Sequence, residues 1–423
     1  MVRFGSSGLR GVFGEVGPRE ALSMGMALAS MYGDVASCRD ARSTSLLMQL
    51  ALEAGVMAAG GDALRLGLAP TPVASFAAKE FGLASVSVTA SHNPPEYAGL
   101  KPFSPGGAPL YGGELEKLSR LMEEGVEPVS WSDVGVPYDV DVLDGYLDAV
   151  SKGVDSLEGL RVVVDCGNGA TSVTAPAAFK MLGASVVTLN CEPSPQFNRD
   201  PEPGPGSLTE LRELVRATGA HMGAAFDPDG DRFVAVDPRG RVVMGAEMAY
   251  ILGKLLGARE MVVSVDSPSY LDREFEVFRT RVGDVFVTKE MMERGIKFGF
   301  EPSGTQILAD HLPTPDGLRA AIVLASHLRE RPLDALLDSV PRWGYARASL
   351  PLRDRSRLER FLEGVEGAIS RIDGVRLRDG NVFVLIRPSG TEPKVRIAVD
   401  GEDPREVEEK LEKWKGILKG VLG

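Results

Sequence analysis

The sequence is poor in cysteine, histidine, carboxamides, aromatic rings and positive charge. It has three cysteines (Cys38, Cys166, Cys191) and four histidines in 423 residues. Three scattered cysteines make no disulfide framework, and no CxxC or Cys/His cluster offers a zinc site. They are expected to be small apolar side chains in a reducing compartment. Hydrophobic residues reach 43%, yet no run approaches the roughly 18 uninterrupted apolar residues of a membrane span. The opening MVRFGSSGLRG lacks the apolar stretch of a secretory signal. Lys and Arg number 47 against 59 Asp and Glu, a net charge of -12. That deficit excludes a nucleic-acid coat or a binder of anionic membranes, since both need a positive field. A cytoplasmic protein is expected, monomer or homodimer, with no nucleic-acid or membrane partner. Five Asn and three Gln are a depletion of thermolabile amides, one signature of a thermophile.

Glycine (49) and proline (28) are plentiful, so turns and close backbone approaches should be common. Short apolar strands alternate with helical patterns. Strands are expected at 35–38, 85–88, 161–165 and 261–266, with helices over 45–59 and up to 182. This alternation implies α/β units with parallel, buried sheets. The unit of apolar strand, then Asp or Arg, then helix recurs near 35, 162 and 261, which suggests related subdomains. The last 80 or so residues differ. Strands at 345–352, 375–377, 381–386 and 395–399, with helices over 356–371 and 404–422, describe an α+β end unit. Polar, Gly- and Pro-rich stretches near 126–142, 237–246 and 338–345 mark the boundaries.

Four segments carry chemistry. Thr89-Ala90-Ser91-His92-Asn93-Pro94-Pro95 follows a strand, at the carboxyl end where open α/β sheets bind ligands. A serine beside a histidine in a stiff loop can be a nucleophile. Asp227-Pro228-Asp229-Gly230-Asp231-Arg232 places three carboxylates at alternate positions in a tight loop. They repel one another unless a hard cation such as Mg²⁺ sits among them. Arg232 beside that cation suits a phosphate. The last two segments echo each other: Glu301-Pro302-Ser303-Gly304-Thr305 and Arg387-Pro388-Ser389-Gly390-Thr391. In the second, Arg387, two hydroxyls and the backbone around Gly390 can cradle a phosphate, with Lys394 and Arg396 following. In the first, Glu301 accepts hydrogen bonds, as sugar hydroxyls require. A fifth, the N-terminal Gly5 to Gly11, brings Arg10; it matches neither a dinucleotide fingerprint nor a P-loop.

With these residues in order along nearly the whole chain, the sequence resembles the α-D-phosphohexomutase superfamily. Phe4 to Gly11 looks like its opening motif, and Thr89 to Pro95 with Tyr97, Gly99 and Lys101 like its phosphoserine loop. Asp227 to Arg232 looks like the metal loop, Glu301 to Gly304 like the sugar loop, and Arg387 to Pro393 like the phosphate loop. The resemblance implies three related α/β domains and a TBP-like α+β domain around a central cleft. Their limits would be 1–141, 142–241, 242–341 and 342–423.

The resemblance also implies an activity: interconversion of hexose 1- and 6-phosphates through a phosphoserine enzyme and a bisphosphorylated intermediate. Ser91 would carry the phosphate, with one Mg²⁺ held by it and by Asp227, Asp229 and Asp231. The sugar's own phosphate would dock on Arg387, Ser389, Gly390, Thr391 and Arg396. Arg232, Glu301, Ser303 and Thr305 would bind the sugar, while Arg10, His92 and Lys101 are acid–base and electrostatic candidates. A hexose bisphosphate would serve as primer. Departures fall in the sugar loop: Phe300 stands between Gly299 and Glu301 where many relatives have Gly-Gly-Glu, and Thr305 stands where many have His. Glucosamine phosphate and mannose or glucose phosphates are therefore competing substrates. The alternatives are a Mg²⁺-dependent sugar-phosphate phosphatase and a mutase acting on a pentose phosphate.

Overall fold

The computed structural model describes residues 4–5, 8–389 and 393–422. The first unit is built on a seven-stranded sheet. Val35–Arg39 pairs in parallel with Ala63–Leu68 on one side and Ala84–Val88 on the other. Helices cover the sheet, so these strands are built mainly of apolar and small residues, with Ser37, Ser85 and Ser87 buried among them. The second unit sets Arg161–Asp165 parallel to Ser185–Leu189 and Met222–Phe226. The third sets Glu260–Ser264 parallel to Glu276–Thr280 and Phe298–Glu301.

The parallel sheets expected are present but mixed in all three units, and the antiparallel part is where the loops of interest sit. In the first unit, Ala84–Val88 is answered by an antiparallel return strand, Tyr97–Phe103. In the second, Met222–Phe226 is answered by Phe233–Val236. In the third, Phe298–Glu301 is answered by Thr305–Leu308. The connecting segments are Thr89 to Glu96, Asp227 to Arg232 and Pro302 to Gly304. Each unit thus presents one loop at the carboxyl end of a buried strand, with both ends of the loop fixed by a ladder. This shared hairpin is a closer likeness between the units than the strand–Asp–helix repeat read from sequence.

The end unit is a five-stranded sheet in which every pair is antiparallel. Helices Arg355–Glu363 and Pro404–Leu422 pack on it. Asp354 caps the first, accepting from the backbone N–H groups of Ser356 and Arg357. The helix expected over 356–371 stops at Glu363. Gly364 and the left-handed Gly367 (φ 70°) end it, and Ala368–Ser370 becomes an edge strand.

One apolar core runs through the first three units, from Val73 and Phe103 through Phe179 and Phe233 to Leu333. The end unit keeps a core of its own, Leu350 to Leu418. Polar contacts join the two bodies. Asp400 accepts from the Ser269 backbone N–H (2.7 Å) and from Trp343 Nε1 (3.0 Å), and the Tyr345 hydroxyl donates to the Asp266 carbonyl (3.0 Å). A polar seam, rather than a shared core, permits the end unit to move as a body.

The cysteine expectation is also corrected. Cys166 and Cys191 form a disulfide, with Cα atoms 4.9 Å apart, while Cys38 is free and buried. The cause is topological: Asp165 pairs with Leu189 on adjacent parallel strands, so the residues just beyond both strand ends are neighbours. Among the described residues no helix is long and apolar enough to cross a membrane.

Candidate active site

The three hairpin loops and the end unit face one cleft of about 1200 Å³. Ser91 and His92 line it from the first unit, with Arg10 from the strand Gly8–Val12 beside them. Asp231 and Arg232 line it from the second, Glu301 to Thr305 from the third, and Arg387 and Arg396 from the fourth.

Ser91 is buried and has a left-handed backbone, φ 53°. That conformation is uncommon for a residue with a Cβ and is held only where the surroundings enforce it. Its Oγ donates to Asp227 Oδ2 at 2.9 Å and lies 3.3 Å from His92 Nδ1. Burial, with Arg232 and Arg10 nearby, lowers the His92 pKa to about 2, so the ring is neutral.

The three aspartates gather as the alternating sequence requires. Their carboxylate oxygens lie within 4.8 Å of one another. Gly230 turns the loop at φ 72°, where an added Cβ would also strike Thr171. Asp229 Oδ2 accepts from Thr71 Oγ1 (2.7 Å), and Lys101 Nζ donates to Oδ2 of both Asp229 and Asp231 at 2.5 Å. Burial and the two neighbouring carboxylates hold Asp227 well above its usual range. Burial pushes Asp229 up too, but Lys101 and the hydrogen bonds to Asp227 and Thr71 together hold Asp229 low. Burial and Asp229 raise Asp231 against Lys101 and Arg232. Burial works against the Lys101 charge, yet Asp229 and Asp231 hold it above its ordinary value. Lys101 is therefore an ammonium, suited to neutralising charge. Asp229 Oδ1 and Asp231 Oδ1 are buried with no hydrogen-bond partner among the described residues. Orphaned buried acceptors are costly, and anionic oxygens left in this way fit a hard divalent cation.

Glu301 is buried at the end of its strand, where Oε1 accepts from the Gly283 backbone N–H at 2.7 Å. Burial, then Asp284 and Asp266, lift its pKa to about 8. A folded-state value above the unfolded one gives stability that is present at low pH and lost as pH rises toward 8. Glu301→Gln does not titrate. Its stability relative to wild type should rise by several kcal/mol between about pH 5 and about pH 9. Denaturant titrations at both pH values check this, and a constant difference would contradict it.

Ser303 and Thr305 line the same cleft, and Gly304 takes φ 95°. The sugar and metal loops are tied together: Phe233 N–H donates to the Gly304 carbonyl at 3.0 Å, and Arg232 bridges Thr305. In the end unit, Arg387 and Arg396 stand directly opposite on neighbouring strands. Two guanidinium groups on one face of the sheet suit an anion such as phosphate. Asp373 lies 3.2 Å from Arg387 Nη1, and Ser389 N–H donates to the Lys394 carbonyl at 2.8 Å. Gly390 and Thr391 lie outside the described residues.

Among the described residues, six arginines (10, 199, 232, 347, 387, 396) and six carboxyl side chains (Asp200, Glu202, Asp231, Asp266, Asp284, Glu301) line the cleft. Several of these groups escape a reading of the sequence. Glu202 pairs with Arg232 at 2.9 Å, and Arg347 stands 4.0 Å from Asp266. Nothing local marks either one. Asp40 and Arg42 hold the Ser91 loop from behind and did leave a trace: buried charges immediately after an apolar strand.

The chain matches four domains of the phosphoglucomutase/phosphomannomutase group. They are alpha/beta/alpha domains I (residues 1–128), II (144–240) and III (240–343), and the C-terminal domain (352–413). It is 38% identical to a probable phosphoglucosamine mutase of Methanothermobacter thermautotrophicus, over 99% of this chain and 98% of that protein. It is 33% identical, with the same shares, to the phosphoglucosamine mutase of Methanocaldococcus jannaschii. A crystal structure of a phosphoglucomutase/phosphomannomutase family protein from Burkholderia thailandensis superposes with a TM-score of 0.86. It is 27% identical and covers 99% of this chain and 98% of its own.

Proposed function

This chain belongs to the phosphoglucomutase/phosphomannomutase family and is a hexose-phosphate mutase; on that premise we propose that Ser91 carries the transferred phosphoryl group and that the substrate is glucosamine phosphate. The observation that carries the first part is the Ser91 hydroxyl, 2.9 Å from Asp227 of the aspartate loop. It opens into the same cleft as the opposed Arg387 and Arg396. The substrate reading rests on the relatives that bear that name.

Asp227, Asp229 and Asp231, with the Ser91 phosphate, would hold the cation, Mg²⁺ being the expected one. Bound there, it supplies charge neutralisation for a transferring phosphoryl group. The sugar docks its existing phosphate between Arg387 and Arg396, beside Ser389. Arg232, Glu301, Ser303 and Thr305 contact the sugar, Glu301 and Ser303 taking its hydroxyls. The Ser91 Oγ–P bond breaks as a bond forms to the free sugar hydroxyl, whose proton ends on Ser91 Oγ, giving a bisphosphate and a free serine hydroxyl. The bisphosphate turns over in the cleft, and its other phosphate returns to Ser91. Lys101, His92 and Arg10 flank the transfer and stabilise its charge. A hexose bisphosphate primes an enzyme that has lost its phosphate.

A substrate panel tests the assignment. Glucosamine, glucose, mannose and pentose phosphates are assayed for exchange between the two phosphate positions, with bisphosphate primer. Glucosamine phosphate should show the highest kcat/KM. A mannose or glucose phosphate preferred over it would overturn the substrate reading, and release of inorganic phosphate at the turnover rate would mark a phosphatase.

A further inference from the structure

We propose that the buried Asp40–Arg42 ion pair is the positioning device for Ser91, fixing both of its peptide groups so that Oγ is presented to the cleft. The inference rests on the reading of Ser91 as phosphoryl carrier. Asp40 and Arg42 are almost wholly buried, and their side chains meet at 3.0 Å. Neither lines the cleft, so neither touches the sugar.

The contacts converge on one residue. On its carbonyl side, Arg42 Nη2 donates to the carbonyls of Ser91 and Asn93 at 2.6 Å each, and Nη1 donates to the Pro94 carbonyl at 2.5 Å. On its amide side, the Ser91 N–H donates to Thr89 Oγ1 at 2.8 Å. That hydroxyl in turn donates to Asp40 Oδ2 at 2.7 Å, the same oxygen that receives Arg42 Nε. Asp40 Oδ1 takes the Arg42 backbone N–H (3.1 Å) and the Ser45 hydroxyl (2.5 Å). The guanidinium also lies over the Phe197 ring, 5.2 Å from its centroid.

A left-handed serine persists only if its neighbours hold it, and here one ion pair holds the peptide on each side. Three loop carbonyls turned inward need several donors in one plane. A guanidinium supplies them and an ammonium does not. Because Oγ follows the backbone, releasing these carbonyls moves the phosphoryl group relative to Asp227 and the sugar hydroxyl, while the groups that dock the sugar stay in place.

The test compares Arg42→Lys and Arg42→Ala with wild type in the full chain. The probe is the hexose 1-phosphate that wild type turns over fastest, primed with glucose 1,6-bisphosphate. A misplacement of about 1 Å in a reacting group costs about 100-fold. In both variants kcat should fall by about that factor while KM stays within about threefold. The fraction of Ser91 phosphorylated by the bisphosphate should fall with it, as read by intact mass. Guanidinium ion at millimolar concentration should restore part of kcat to Arg42→Ala and none to Arg42→Lys, where the cavity is filled. If Arg42→Ala fails to fold, Arg42→Lys alone decides by its kcat against KM. Two results overturn the proposal: kcat within about threefold of wild type, or kcat and KM degraded together with no rescue by guanidinium. A wild-type protein whose Ser91 never takes phosphate defeats the underlying reading instead, and the positioning role falls with it.

Discussion

Ser91→Ala should abolish hexose-phosphate exchange, with kcat reduced by about 10⁴-fold or more, the scale of removing a nucleophile. Among the described residues no substitute hydroxyl stands beside it. The Thr89 hydroxyl is committed to Asp40 and to the Ser91 N–H. His92 lines the cleft beside Ser91 with its ring half-buried and neutral. The variant should fold, because among the described residues the Ser91 hydroxyl hydrogen-bonds Asp227 and His92 while the loop is held through its backbone. Losing the hydroxyl leaves Asp227 Oδ2 without that donor, so a small loss of stability is expected, about 1 kcal/mol. Kinetic assay beside thermal melting separates the two effects. Retained turnover in a folded Ser91→Ala would mean that the group goes to water or directly between sugars.

Removing the divalent cation should be nearly as severe. Three buried carboxylates share one loop, and Lys101 reaches only the Oδ2 atoms of two of them. Two further oxygens, Asp229 Oδ1 and Asp231 Oδ1, have no donor among the described residues. A phosphoryl group brought to Ser91 adds more negative charge at the same point. Lewis-acid neutralisation of such a group supplies several kcal/mol, so chelation should lower kcat by about 10³-fold, reversed by Mg²⁺. Asp229→Asn and Asp231→Asn should lose the calorimetric heat of Mg²⁺ binding as well as activity. Full activity in excess chelator, or undiminished Mg²⁺ binding by both variants, would refute the triad as the cation site.

Much of this architecture was legible in the sequence, for reasons that differ by element. Apolar strands such as Arg161–Asp165 declare themselves because both faces are buried. The aspartate loop is legible because charge repulsion at alternate positions makes little sense without a cation. Other features depend on chain crossings that no local pattern encodes. The Cys166–Cys191 disulfide follows from two strands lying side by side. Glu202 reaches Arg232 across a long loop, and Arg347 enters the cleft from a strand whose neighbours look ordinary. The amphipathic pattern continues toward residue 371, but the helix ends at Glu363 because Gly364 and the left-handed Gly367 break it.

The central claim is that Ser91 receives and returns the phosphoryl group. It is tested most directly by giving the enzyme a hexose bisphosphate bearing ¹⁸O-labelled phosphate and weighing the Ser91 peptide after turnover. The account predicts one added phosphate on that peptide, carrying the label and exchanging out when unlabelled bisphosphate follows. An unmodified Ser91 in enzyme that is isomerising its substrate at full rate would contradict it.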